Sequence, residues 1–146
     1  MPVLSLALNI LWVVFGGFWM ALAWLLAAVI MVITIIGIPW ARAALTMAWY
    51  TLLPFGQTAV RRDAYGREDI GTGLLGTLGN ILWFVFAGWW LALGHIITAV
   101  GLAITIIGLP FAWAHLKLAG LALWPIGTEI VTTDEAESRR RAVMMR

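Results

Sequence analysis

His95 is the one ionisable side chain between Asp69 and His115, in a stretch that is otherwise apolar. An ionisable group at membrane depth is a functional suspect, because hydrocarbon offers it no solvation. Its chemistry would be the lining of a polar path. The alternative is a neutral imidazole bonded to a carbonyl near the headgroups. It has no Cys, Asp or Glu beside it and makes a poor metal site, so no metal or other cofactor is expected. Asn9 and Asn80 are amides near the start of an apolar segment, and each needs a partner or water there. They read as an interhelical bond or a cap, against a pore lining. Thr34 and Thr105 recur in the same Ile-Thr-Ile-Ile setting. A threonine in a helix usually bonds its own backbone; the competing reading is coordination of a permeating ion. Arg42, His115 and Lys117 lie in a third, aromatic-flanked segment and read as contacts to lipid headgroups. A vestibule that attracts anions is the sharper alternative. No Ser, His and acid share a segment, no carboxylates pair inside the apolar runs, and HExxH is absent. No catalytic site is expected, and the chain reads as a non-enzyme.

These residues come in pairs because the chain repeats itself at a spacing of 71 positions. Asn9-Ile10-Leu11-Trp12 returns as Asn80-Ile81-Leu82-Trp83. Ile33 to Pro39 returns as Ile104 to Pro110, and Leu52-Leu53-Pro54-Phe55-Gly56 returns as Leu123-Trp124-Pro125-Ile126-Gly127. Self-similarity at a fixed period signals repeated structural units. Hydrophobic residues make up 63% of the chain and charged residues 11%, with a mean hydropathy of +0.98. A soluble domain of this size could not bury so much apolar surface, so the units are membrane segments. The absence of cysteine excludes a disulfide framework. A net charge of +2 gives no case for nucleic acid.

The charges mark the organisation. Residues 1–60 and 77–131 are the two membrane repeats. Residues 61–76 form a polar linker with Arg61, Arg62 and Arg67, and residues 132–146 a polar tail with Arg139, Arg140 and Arg141. The positive-inside rule assigns linker and tail to the cytoplasm, with the N-terminus on the same side. The repeats are then parallel rather than inverted.

The expected fold is an all-α integral membrane protein. Each of its two parallel repeats has a helical hairpin, turning at Gly16-Gly17 or Ala87-Gly88, and a short aromatic-rich interfacial helix, with about four crossings in all. A second arrangement also fits. In it Leu6–Ile36 is one long tilted helix and residues 40–53 span back. Gln57–Val60 and Thr128–Val131 are candidate strands, and Asp134 a candidate cap for a terminal helix.

Four features of repeat two together resemble the YccF family, the bacterial inner membrane component domain. They are Asn80-Ile81-Leu82-Trp83, Gly88-Trp89-Trp90 followed by His95, Ile106-Ile107-Gly108-Leu109-Pro110, and Leu123-Trp124-Pro125-Ile126-Gly127. Repeat one departs where Trp24 stands for His95 and Arg42 for Trp113. The resemblance implies a multi-pass protein of the bacterial inner membrane with a cytoplasmic C-terminus, and brings no settled activity. The leading expectation is a small homo-oligomeric channel-like protein for ions or small solutes. Four thin crossings leave little room for a path inside one protomer, so such a path would follow an oligomer axis. The alternative is a non-conducting scaffold or accessory subunit. It would bind a protein partner through its linker and tail, with membrane lipids around it.

Overall fold

The structure is a computed structural model that describes residues 2–145. The chain runs α1 (Pro2–Trp12), α2 (Phe18–Ile33), α3 (Ile38–Leu52), β1 (Gln57–Arg61), α4 (Gly73–Trp83), α5 (Trp89–Ala103), α6 (Leu109–Leu123), β2 (Thr128–Thr132) and α7 (Thr133–Met144). One five-residue π-helical turn, Val13–Gly17, joins α1 to α2, and another, Phe84–Gly88, joins α4 to α5. The result is two apolar helices of 31 residues each, Val3–Ile33 and Gly73–Ala103.

This corrects the hairpin expected at Gly16-Gly17 and Ala87-Gly88. The chain bends there but does not reverse. A π turn re-aims a helix while keeping its backbone bonded, as in the bond from Phe18 N–H to the Val13 carbonyl. The reversal comes one segment later. Thr34 closes α2 by bonding the Met31 carbonyl at 2.7 Å and accepting the Gly37 N–H at 3.2 Å. Thr105 repeats this with Leu102 and Gly108 at 3.1 and 3.0 Å. Pro39 and Pro110 then sit in the first turn of α3 and α6, where a missing N–H costs nothing. The close partner of α2 is therefore α3, and that of α5 is α6. Buried Ala27, Ala28, Ala41 and Ala44 let α2 and α3 approach closely.

The two candidate strands are present. They pair antiparallel, Gln57 with Thr132 and Arg61 with Thr128, around Ala59 opposite Ile130. Ala59 and Ile130 are equivalent positions of the two repeats. A contact between equivalent positions lies on the axis that relates the repeats, so a pseudo-twofold axis passes through the centre of this sheet. Within the helices, Trp24 touches its own equivalent, His95. The axis thus runs from the sheet into the bundle, and each repeat presents the same end to the sheet.

The molecule is layered about that axis. The sheet, the linker and α7 form a polar layer. Thr132, not Asp134, caps α7, accepting the Glu135 N–H at 3.3 Å. Asp134 and Glu135 lie in the first turn and Arg141 in the last, in line with the helix dipole. The next layer is α3 and α6. Trp40 at the start of α3 donates to the Ile70 carbonyl at 3.3 Å, and its indole rests on Gly79, where a side chain would not fit. Farther along α3, Arg42, Thr46 and Tyr50 share a cleft with Gln57 and Ile130. On the other side, Lys117, Leu118 and Leu121 of α6 face Thr58 and Ala59. Beyond lie α2 and α5, which cross at Trp24 and His95. The surface of the helices is a continuous apolar coat that includes Val14, Trp19, Ile33, Val85, Ile97 and Ile104.

Candidate functional site

The candidate polar residues fall into three places. The first is the end of each repeat, where an asparagine clamps the chain as it enters the sheet. Asn9 Nδ2 donates to the Phe55 carbonyl at 3.1 Å, and Asn9 Oδ1 accepts the Phe55 N–H at 3.0 Å. Asn80 does the same to Ile126 at 2.9 and 3.0 Å, and its amide also bonds the Gly76 carbonyl. One primary amide matches one peptide unit, donor to acceptor and acceptor to donor. Two tryptophans repeat the theme one turn on. Trp12 Nε1 donates to the Thr51 carbonyl and Trp83 Nε1 to the Ala122 carbonyl, each at 2.7 Å. These carbonyls end α3 and α6, where a helix lacks internal partners.

The second place is the axis. Trp24 Nε1 donates to His95 Nε2 at 3.1 Å, and His95 Nδ1 lies 2.9 Å from His115 Nδ1. An indole N–H can only donate, so His95 Nε2 is an acceptor and the ring carries its proton on Nδ1. That proton goes to His115 Nδ1, which leaves the His115 proton on Nε2. Trp12 stacks on His115 at 4.3 Å, and Trp24 stacks on Trp83 at 5.3 Å. His115 Nε2 is buried and faces the π turn of repeat one, toward the Phe15 backbone. A Cβ added at Gly16 would lie 3.3 Å from that nitrogen.

The two π turns differ at this place. Phe15 and Gly16 leave helical geometry, Gly16 with φ of 117°, which a side chain rarely adopts. In repeat two the equivalent Ala87 stays within the π turn at negative φ. The equivalent of His115 is Ala44, which has no ring to press on that turn.

The third place is the polar layer. Glu129 accepts from both Arg67 and Arg139, Arg139 also pairs with Glu135, and its guanidinium lies over Tyr65 at 5.6 Å. Two carboxylates hold the Arg139 guanidinium firmly protonated, the Glu129 bond most of all. The bond from Arg61 holds the Asp63 carboxyl below its usual range.

The sequence reading of these residues is corrected at two points. His115 does not meet lipid headgroups; it is fully buried, as is His95. Nor is His95 a lone polar group, since Trp24 and His115 bind it from both sides. Arg42 and Lys117 are exposed, as a headgroup contact requires, with Lys117 over the Trp113 ring at 5.6 Å. The sequence reading missed Trp12, Trp24 and Trp83 as polar anchors. One signal was available: Trp24 occupies the position of His95 in the other repeat.

Among the described residues no group of three or more His, Cys, Asp or Glu could hold a metal ion. Trp24, His95 and His115 are each 0% exposed, so this hydrogen-bonded chain has no end in solvent. Its chemistry is to satisfy polar groups where two apolar helices cross.

A twofold-repeated set of apolar helices, with paired polar clamps and a charged layer at one end, defines an integral membrane protein built from two copies of one unit. The family described as the inner membrane component domain, YccF, matches residues 7–57 and again 78–128. The chain is 39% identical over 139 residues to the inner membrane protein YccF of Escherichia coli (strain K12), covering 92% of this chain and 93% of that one. The YccF protein of Shigella flexneri matches to the same extent. No solved structure matches. The chain belongs to the YccF family of inner-membrane proteins.

Proposed function

We propose that the protein is a non-conducting scaffold of the inner membrane that offers its cytoplasmic polar layer to a protein partner. One observation carries this: the recurring polar groups of the apolar helices are used inside a single protomer. Asn9 and Asn80 hold peptide units, Thr34 and Thr105 close helices, and His95 lies between Trp24 and His115. A pore needs such groups free to replace the hydration shell of a solute. The homo-oligomeric channel is the runner-up, and its axis would have to be lined by the apolar coat. No enzymatic role is proposed.

The orientation follows the charges. Arg61, Arg62, Arg67, Arg139, Arg140 and Arg141 all lie in the linker, sheet or tail, which supports a cytoplasmic polar layer and C-terminus. The contacts of α3 and α6 with the sheet support an interfacial position for residues 40–53 and 111–124.

Ion and small-solute flux from liposomes carrying the purified protein tests the reading, with His95→Ala alongside. The expected result is no flux above empty vesicles for either protein, across several salts and pH values. Flux that His95→Ala changes would overturn the scaffold and restore the channel.

A further inference from the structure

We propose that the groove between α3 and β2 binds the phosphate of an anionic phospholipid headgroup. The groove has a volume of about 470 Å³ and opens where the apolar helices meet the polar layer. Arg42 of α3 and Arg62 and Arg67 of the linker line it, with Asp69 and Glu129. Both acids are already paired, Arg62 Nη2 with Asp69 at 2.9 Å and Arg67 Nη1 with Glu129 at 2.7 Å. Arg42 is in no ion pair among the described residues. The groove therefore keeps one positive charge without a counter-charge.

Arg62 is fixed at the groove wall beside Arg42. Arg62 places Nη1 on the Thr128 carbonyl at 3.1 Å and Nη2 on Asp69, and its Nε is buried with no partner. Those bonds hold the Arg62 guanidinium in the groove wall, and a phosphate oxygen entering beside it would make a strong charge-assisted bond to the unpaired Arg42.

The other walls say what else the ligand carries. Pro39, Trp40, Ala43 and Ile70 make one side of the groove apolar, and the neighbouring face of α3 exposes Leu45 and Trp49. A ligand charged at one end and greasy at the other fits both halves. A soluble phosphate fits only the first.

The repeat supplies an internal comparison. Trp113 stands where Arg42 would recur, and the cation of repeat two is Lys117. The cleft beside Lys117 is otherwise lined by Tyr50, Thr58, Ala59, Leu118 and Leu121, without another charge. Of these two clefts among the described residues, the one with several cations lies on the α3 side. This inference does not depend on the scaffold reading, since a channel could carry the same lipid.

The full-length protein in a neutral detergent, titrated with short-chain phosphatidylglycerol, phosphatidylcholine or inorganic phosphate, tests it. The readouts are thermal unfolding and bound lipid by native mass spectrometry. Phosphatidylglycerol is expected to raise the unfolding temperature and to be retained as one molecule, well ahead of phosphatidylcholine. Arg42→Gln is expected to weaken this about five-fold, from the attraction of one basic group for an anionic headgroup. Arg140→Gln, which removes an exposed tail charge, should leave it unchanged. Arg42 is exposed and makes no ion pair, so its loss should not unfold the protein. Equal effects of the two lipids, or equal losses in the two variants, would overturn the site. Inorganic phosphate binding as tightly as phosphatidylglycerol would assign the groove to a soluble anion and overturn the lipid.

Discussion

Asn80 shows how one side chain ends a repeat. Its amide closes on both polar atoms of Ile126, in a place where all three groups are buried. Asn80→Leu keeps the bulk and removes both bonds, so the buried Ile126 N–H loses its partner and the carbonyl keeps only the longer bond from Arg61 Nη1 at 3.4 Å. Each unsatisfied group costs about 1–3 kcal/mol, and a loss of about 2–4 kcal/mol is expected on thermal or denaturant unfolding in detergent. Asn9→Leu should cost less, because the Phe55 clamp is only part-buried. A variant that kept full stability would remove the clamp from the account. The recurrence at 71 positions made both asparagines visible in the sequence, but their partners are backbone atoms, which no residue letter marks. His115 was misread for another reason. Its neighbour Lys117 suggested an interface. Yet Phe111, His115, Leu118 and Ala122 are buried at helical spacing, while Trp113, Leu116 and Lys117 face outward. The face of the helix, not its nearest charge, decides where a side chain goes.

The same distinction between pattern and packing governs the elements. Gly16-Gly17 between aromatics was a sound marker of a break, but a bend and a reversal leave the same mark in a sequence. What separates them is whether α2 finds a closer partner ahead of it or behind it, and the alanines of α2 and α3 supply the partner ahead. The π turn of repeat one also faces a residue about a hundred positions away. Gly16 stands at φ of 117° with His115 and Thr98 against it. Gly16→Ala should therefore cost about 1–3 kcal/mol, from a strained backbone and a crowded site. If the His115 ring causes the strained turn, the penalty should shrink when the ring is gone. In the His115→Ala background the turn would be free to relax toward the geometry of Ala87, whose partner position is already Ala44. A double-mutant cycle reads this directly, with a coupling of about 0.5–3 kcal/mol expected between touching residues. Additive penalties would show that the turn is set within repeat one alone.

At the scale of the whole molecule, the twofold axis ties these details together. The repeat, the membrane class, the strands and the recurring asparagines could be read from spacing and residue type. The axis could not, because it is defined by which equivalents meet: Trp24 with His95, and Ala59 with Ile130. It also bears on how the chain lies in the bilayer. Each long helix starts beside the polar layer, at Asn9–Phe55 or Asn80–Ile126. Each is followed by a helix whose first residues return to that layer, through Trp40 to Ile70 or through Phe111 against Phe55 at 5.9 Å. The hairpin route to four crossings would need the chain to turn back at the π turns, where the chain bends without reversing. On the proposed orientation, a bent apolar helix of this length, tied near both ends to one layer, would insert obliquely from the cytoplasmic side. The chain has no cysteine, so single probes are clean. Val14→Cys and Val85→Cys put a thiol on exposed positions at the two π turns, 75% and 60% exposed. In sealed vesicles of known orientation, a membrane-impermeant maleimide is expected to miss both from the outer side. The same reagent should reach Glu68→Cys and Ser138→Cys from the cytoplasmic side alone. Labelling of Val14→Cys or Val85→Cys from outside would mean that the π turns reach the far surface, and that the protein crosses the bilayer four times after all.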